Sequence, residues 1–474
     1  MIELNIHINV DLDNQSGGNN LVKDILKIAI PVSIENILAN TGIFILTILL
    51  SLVGEREIAI NAISNQASFL VNLFLFGINT GGAIFVSQYW GRKDEESIKR
   101  VFGLMLTSSM IIAAAFFAFT FFFPGTFVHI FSKDSSLFND SILYLKIISF
   151  SYFGIALEVA FRTFLRGIEK ANIPMESYIV GTAAQLLLAY GFLNGRLGLP
   201  KLGITGVAIA ITISRYVIPF YQIMRAYYLH LPYTFSLRGI SRDLFKRFVK
   251  FATPAALNEI AWSLGMTMYG IVFGWMGTES YAARNVLSSF ENYIWTLALG
   301  ITTASSVIVG KLVGKESYEK AVDFSKKIML VNSLVALGTA FVTIAAYYIL
   351  LPTFDLTSSS KYMLTLSMWI MLVGSPIKAL NNVAIVGILR AGGDSKYAFL
   401  LETSTLWGLG VPLAFIGAMV WKQSLPVVYA LTLSDEVAKA IIVYFRIRSK
   451  KWMKNVTIST EEAILEAAEH EIQI

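Results

Sequence analysis

The sequence predicts an all-α integral membrane protein, with twelve transmembrane helices in two six-helix lobes related by a pseudo-twofold axis along the membrane normal. Three observations carry this prediction. The chain is too apolar for a soluble globule, it repeats itself at a constant spacing of 223 positions, and its basic residues crowd the loops of one side.

Of the 474 residues, 55% are hydrophobic and only 15% charged, with a mean hydropathy of +0.62. Runs such as 101–123 and 328–351 exceed the roughly 20 residues that span a hydrocarbon core. Backbone groups in lipid must be satisfied within the segment, and without the ten-residue alternation of a barrel strand this means helices. Glycine, proline and charge breaks place them near 22–51, 57–89, 97–123, 136–164, 175–194 and 203–229, then 242–276, 279–311, 316–350, 357–389, 395–421 and 425–448.

The repeat runs without a gap. Lys27, Ala29, Pro31, Ile37, Gly54, Ala59, Gly77, Ile78, Thr80, Val86, Gly91 and Glu96 recur as Lys250, Ala252, Pro254, Ile260, Gly277, Ala282, Gly300, Ile301, Thr303, Val309, Gly314 and Glu319. An even number of helices per copy brings both copies in from the same side, which fixes the axis along the normal. Duplication in so apolar a chain points to a membrane transporter.

With both termini cytoplasmic, Arg92, Lys93, Arg166, Lys170, Arg390 and Lys396 fall in cytoplasmic loops, whereas the opposite loops carry only Arg56, Lys133, Arg196, Lys201, Lys361 and Lys422. That asymmetry sets the orientation of a multi-pass plasma-membrane protein. It also accounts for the net charge of +6 without a nucleic-acid partner. Residues 1–20 lack the n- and h-regions of a signal peptide and read as a disordered cytoplasmic tail. The N-lobe is expected over 21–235 and the C-lobe over 236–448, with the linker near 231–241 marked by Pro232 and Gly239. Residues 449–474 are a second cytoplasmic tail. The basic run Arg446, Arg448, Lys450, Lys451 and Lys454, which leads from the last helix into this tail, forms a membrane-facing collar, followed by a short helix with a capping box from Ser459 to Glu462.

Four segments carry a family resemblance: 77–101 (GINTGGAIFVSQYWGRKDEESIKRV), 199–214 (LPKLGITGVAIAITIS), 253–277 (TPAALNEIAWSLGMTMYGIVFGWMG) and 375–402 (SPIKALNNVAIVGILRAGGDSKYAFLLE). Together they resemble the MATE family, the multidrug and toxic compound extrusion transporters of the MOP flippase superfamily, over residues 24–448. The resemblance implies a cavity between the lobes that alternates between the two sides, and efflux driven by inward proton or sodium flow. It also exposes a departure. Where many members have an Asp in helix 1 and an Asn and an Asp in helix 5, this chain has Leu46, Gln185 and Ala189. Coupling through those aspartates is therefore not available, and other carboxylates must serve.

An ionisable side chain inside a membrane segment is costly unless paired or hydrated, so each is a functional candidate. Glu259 in helix 7 leads, nine residues beyond Lys250 and hence about 13 Å along the helix. A carboxylate held at that depth is suited to exchanging a proton; a static salt bridge is the structural alternative. Lys378 in helix 10, twelve residues before Arg390 and about 18 Å from that end, is its expected charge partner. Glu402 in helix 11 supports coupling or packs at the inner end, and Asn258 and Asn381 complete the candidate set. The repeat sets Glu35-Asn36 opposite Asn258-Glu259, which makes Glu35 the N-lobe candidate. Glu176 and Glu402 follow the dipeptides Leu165-Arg166 and Leu389-Arg390 and look like equivalent ends.

Other features read as structural. Arg284 is expected to snorkel outward, Glu291 is a reserve candidate, and Asp435, Glu436 and Lys439 can neutralise one another at helical spacing. Arg215 has no evident partner. The helix 2 amides Asn61, Asn65, Asn72 and Asn79 read as interhelical glue more readily than as substrate contacts. Pro31 and Pro254 are expected hinges in helices 1 and 7 beside a cavity lined by helices 1, 2, 7, 8 and 10.

The expected function is antiport, with amphipathic, cationic small molecules leaving in exchange for H+ or Na+. No cofactor is required, the four histidines are too scattered for a metal site, and the partners are a small-molecule substrate and the lipid bilayer around a monomer. The alternative is a flippase for lipid-linked sugars, which should line its cavity with several basic residues to hold pyrophosphate, whereas the deep basic candidates here are few: Arg215, Arg284 and Lys378. An integral-membrane enzyme is disfavoured, because no phosphate loop, metal-ligand motif or nucleophile elbow occurs.

Overall fold

The computed structural model describes residues 18–131, 135–231, 236, 240–354 and 356–458. Among these, α1 is Gly18–Ser51, α2 Glu55–Arg92 and α3 Glu95–Phe122. A short helix Pro124–Phe131 leads to α4, Phe138–Gly167, which is interrupted at Phe150; α5 is Asn172–Asn194 and α6 Gly203–Tyr228. The second half repeats the order: α7 Arg242–Trp275, α8 Thr278–Gly314, α9 Tyr318–Leu350, α10 Ser358–Arg390, α11 Ser395–Val420, and α12 in two pieces, Leu425–Thr432 and Ser434–Arg448. Nine of these helices are long and apolar enough to cross a membrane by length and composition alone. The expected helices are all present, with ends displaced by a few residues. Of the expected tail 1–20, residues 18–20 are instead the first turn of α1, and residues 1–17, the linker markers Pro232 and Gly239, Lys133 and the capping box at Ser459 lie outside the described residues.

Local chemistry starts the helices where the sequence places their caps. Asp94 accepts from the Ser97 N–H at 3.0 Å, Ser241 from Leu244 at 3.0 Å and Thr357 from Ser360 at 3.2 Å. Pro31, Pro254 and Pro376 lie inside α1, α7 and α10. The last turns of α10, Val383–Arg390, are π-helical. The wider turn changes the direction in which Arg390 leaves the helix, and such bulges recur at functional sites.

The lobes meet along a seam that the duplication makes self-complementary. Gly91 abuts the Lys311 backbone, and Gly314 abuts the Gln88 backbone. Gly91 is the repeat counterpart of Gly314, as Gln88 is of Lys311, so one contact is the other turned about the axis. The same holds for Gly77 against Ala256 and Gly300 against Ser33. Ser87 against Gly310 is its own counterpart, which puts the pseudo-twofold axis at that pair. A Cβ at Gly91 or Gly314 would enter a neighbouring backbone, so only glycine permits this approach.

Burial shows where the seam ends. Every residue of α8 from Gly300 to Gly314 is buried or half-buried, and α1 buries Ile25, Ile28, Ala29, Val32 and Ser33. Past Glu35, α1 buries one stripe, Gly42, Leu46 and Leu50, with Gly42 facing Thr182 of its own lobe. Past Asn258, α7 buries Gly265, Tyr269, Val272 and Phe273, with Gly265 facing Leu406 of α11. The lobes are thus closed together at the end carrying the α2–α3 and α8–α9 loops and separate toward the other.

Candidate functional site

Three elements bring the leading candidates together in the C-lobe. α7 supplies Asn258 and Glu259, the π-helical end of α10 supplies Arg390, and α11 supplies Glu402. Arg390 Nη1 donates to Glu259 Oε1 at 2.6 Å and Nη2 to Glu402 Oε2 at 3.4 Å. Asn258 Nδ2 donates to the same Glu402 oxygen at 2.6 Å, while its own Oδ1 is buried with no partner.

Lys378 is not the partner of Glu259. Its ammonium lies 3.1 Å from Glu291 Oε1. The expected pairing fails because Lys378 lies about 18 Å up α10 from Arg390, and it is the arginine that is level with Glu259. Arg390 was counted among the loop charges, yet it is only 2% exposed. Asn381 also lies elsewhere, donating to the Glu436 carboxylate and carbonyl, each at 2.7 Å.

Glu291 anchors the second cluster. It pairs with Lys378 and with Arg284 at 2.9 Å, and accepts from the Tyr429 hydroxyl at 2.7 Å. Arg284 therefore folds inward over the Phe273 and Tyr429 rings instead of snorkelling. A cavity of about 20 Å³ beside Glu291 and Lys378 is bordered by Trp295, Met371 and Ser375, room for one water molecule. Next to it, Lys439 neutralises Asp435 at 2.9 Å and Glu436 at 3.0 Å, as its helical spacing predicts.

In the N-lobe Glu35 is 1% exposed and held by two arginines of α4, Arg166 at 2.7 Å and Arg162 at 3.3 Å. Arg162 also pairs with Glu158 at 3.1 Å, and Tyr178 donates to Glu158 at 3.2 Å. Arg166 and Arg390 are repeat counterparts one residue out of register, so each lobe closes a helix 1- or helix 7-type carboxylate with the arginine ending helix 4 or 10. Glu176 instead pairs with Arg225 at 3.2 Å, so it and Glu402 are not equivalent. Two of the helix 2 amides make interhelical bonds, Asn61 accepting from Tyr144 at 2.8 Å and Asn79 donating to Ser109 at 2.9 Å, whereas Asn72 donates to the Ser68 carbonyl of its own helix and Asn65 is exposed.

Counting charges separates these clusters. Glu291, Asp435 and Glu436 are matched by Lys378, Arg284 and Lys439, and the two groups adjoin because Lys378 and Asn381 are one turn apart on α10. Glu35 and Glu158 are matched by Arg162 and Arg166. Glu259 and Glu402 share Arg390 alone, and no second cation lies within 4 Å of either among the described residues. One negative charge is left over there, beside the free Asn258 oxygen.

Across the seam, Lys311 of α8 pairs with both oxygens of Glu169 in the α4–α5 loop at 2.8 Å, and Trp90 Nε1 donates to Glu169 at 3.2 Å. Sequence reading missed this pair, along with Glu158 and Arg162. The i, i+4 spacing of Glu158 and Arg162 inside an apolar helix was the available signal.

The MatE family model matches residues 31–191 and again 254–416, beginning at Pro31 and at its repeat counterpart Pro254. The chain belongs to the MatE family. Membership makes it a membrane transporter, not an enzyme. Among this MatE protein's relatives, the uncharacterized transporter YisQ of Bacillus subtilis is 23% identical over 423 residues, covering 86% of this chain and 90% of the relative. The probable multidrug resistance protein NorM of Thermotoga maritima is 20% identical over 457 residues, covering 93% and 95%. Among solved structures, the outward-facing conformation of a multidrug resistance MATE family transporter of the MOP superfamily superposes with a TM-score of 0.77 at 18% identity, covering 90% of this chain and 96% of that one. The MATE transporter ClbM in complex with Rb+ gives 0.79 at 17% identity, covering 91% and 96%. These likenesses establish the shared fold, twelve transmembrane helices in two lobes.

Proposed function

We propose that this MatE protein is a cation-coupled antiporter that exports amphipathic, cationic small molecules across the plasma membrane, with both termini cytoplasmic and the seam on the cytoplasmic side. The described conformation is then the outward-open one, and transport proceeds by parting the seam while the opposite ends of the lobes close. Relatives named for multidrug resistance support the substrate class.

The observation that carries the coupling assignment is the unmatched charge at Glu259, Glu402 and Arg390. One H+ or Na+ neutralises it, and for sodium the carboxylate oxygens and the partnerless Asn258 Oδ1 form an oxygen set of the kind hard cations take. Cation entry releases Arg390 from Glu259, loosening α7 from the end of α10. In this reading Asn258 and Glu402 complete the coupling site. Lys378, Asn381 and Glu35 hold their own helices in matched clusters, and Pro31 and Pro254 are the hinges beside the cavity. The flippase alternative asks for several deep cations, whereas of Arg215, Arg284 and Lys378 the last two are both paired with Glu291, which leaves Arg215 with no ion pair within 4 Å among the described residues.

The test is uptake of a fluorescent organic cation into everted vesicles under a pH gradient, a sodium gradient or neither. Accumulation under one gradient only supports the proposal and names the ion; equal uptake under all three defeats it.

A further inference from the structure

Residues 449–458 leave α12 and cross the seam, putting one side chain into each half of the molecule. Trp452 is fully buried in the C-lobe, its ring against Gly392 and its Nε1 donating to the Ile447 carbonyl at 3.3 Å. Four residues on, Val456 is 2% exposed in the cluster that includes Ile84 and Phe85 of α2 and Phe248 of α7. The Val456 N–H donates to Gln88 Oε1 at 2.8 Å, and Gln88 Nε2 donates to the Ala391 carbonyl at 3.0 Å and the Lys454 carbonyl at 3.3 Å. Arg92 donates to Thr457 Oγ1 at 2.9 Å, and Arg247 to the Val456 and Ile458 carbonyls at 2.6 and 3.1 Å. The expected membrane-facing collar is thus partly turned inward, since Arg446 and Lys454 both pair with Asp394, at 2.6 and 2.5 Å.

The repeat explains why this segment is needed. Gln88 and Lys311 are counterparts beside the axis. Lys311 is held from the opposite lobe by Glu169 of the α4–α5 loop. In the register of Arg166 and Arg390, the counterpart of Glu169 is Gly393, which has no side chain with which to reach Gln88. Gly393 takes a φ of +90°, and a Cβ there would meet Lys454 and Val456, as one at Gly392 would meet Trp452. The α10–α11 loop is a glycine cradle, and the C-terminal segment fills it with the contact that the other loop makes for itself.

We infer that residues 450–458 are a gate latch, which completes the closed seam and releases α2 each time the lobes part there. The inference rests on the alternating-access reading above. Trp452 is the anchor that stays with the C-lobe, and the bonds of Val456 and Thr457 to α2 are the ones that break.

The chain has no cysteine, so single cysteines report without a background. In full-length protein carrying Ser87→Cys, at the axis, a membrane-impermeant maleimide is added to the side of the C terminus. Adding Val456→Lys, which expels the latch from α2 but leaves Trp452 anchored, is expected to speed labelling about tenfold, or about 1.4 kcal/mol in the closing equilibrium. An unchanged rate overturns the inference. Linking Arg92→Cys to Thr457→Cys with a reducible bifunctional thiol reagent is expected to stop uptake until the link is reduced. Uptake at the reduced protein's rate with the link in place also overturns it. The labelling arm needs no transport, so loss of the antiport reading would leave it able to decide the latch.

Discussion

Arg390→Met is the substitution with the largest expected cost in the C-lobe. It keeps the length of the aliphatic stem and removes the only cation shared by two carboxylates whose side chains are 13% and 15% exposed. Removing one partner of a buried pair costs about 3–5 kcal/mol, because the other is left charged and dry. Glu259→Gln is milder, about 1–2 kcal/mol, since Arg390 retains Glu402 at 3.4 Å. The double variant leaves only Glu402, still held by Asn258 at 2.6 Å, so it should be more stable than Arg390→Met alone. The expected order of melting temperatures in detergent is wild type, Glu259→Gln, the double variant, Arg390→Met. At roughly 1–2 °C per kcal/mol for a chain of this size, Arg390→Met should lie about 3–10 °C below wild type. A double variant melting below Arg390→Met would refute the shared-cation argument, as would Arg390→Met melting with the wild type.

Gly91→Val and Gly314→Val occupy equivalent sides of the seam and should act alike, shifting the protein toward the seam-open form; accessibility of Ser87→Cys measures this, and a wedge effect from only one of them would contradict the twofold seam. Lys311→Met should also open the seam and lower stability by about 3 kcal/mol, with Glu169→Gln in the same chain restoring part of the loss; a double-mutant cycle with no coupling would remove the ion pair from the gate. Lys378→Met should destabilise less than Arg390→Met because Glu291 keeps Arg284 at 2.9 Å and the Tyr429 hydroxyl, and thermal melting of the two variants side by side checks this.

The fold was legible because hydropathy and the 223-residue register each report a global property that survives ignorance of side-chain direction. The seam follows from the same register: glycines that recur at 77 and 300, and at 91 and 314, are the residues at which each lobe closes on the backbone or a small side chain of the other. Ion pairs were not legible to the same degree. Counting residues from a helix end gives distance along the axis but neither rotation nor the reach of an arginine, so the partner of Glu259 was misassigned to Lys378 where the structure has Arg390. Arg166 and Arg390 looked like loop charges because they end their helices, and the π-helical turns that aim Arg390 inward leave no clear mark in VAIVGILR. The latch was hidden for a different reason. Trp452 and Val456 stand among lysines in a segment too short and polar to register as buried, and only the glycine pair at 392 and 393 hinted that something must fill that space.

Gradient-driven uptake by Glu259→Gln, in everted vesicles with wild type alongside, tests the coupling claim most directly. Glutamine keeps the shape and hydrogen bonding of the side chain but removes the leftover charge. The account predicts that substrate still binds while accumulation under the effective gradient is abolished. Accumulation at the wild-type rate, with unchanged dependence on pH and sodium, would contradict it and move the search to Glu35.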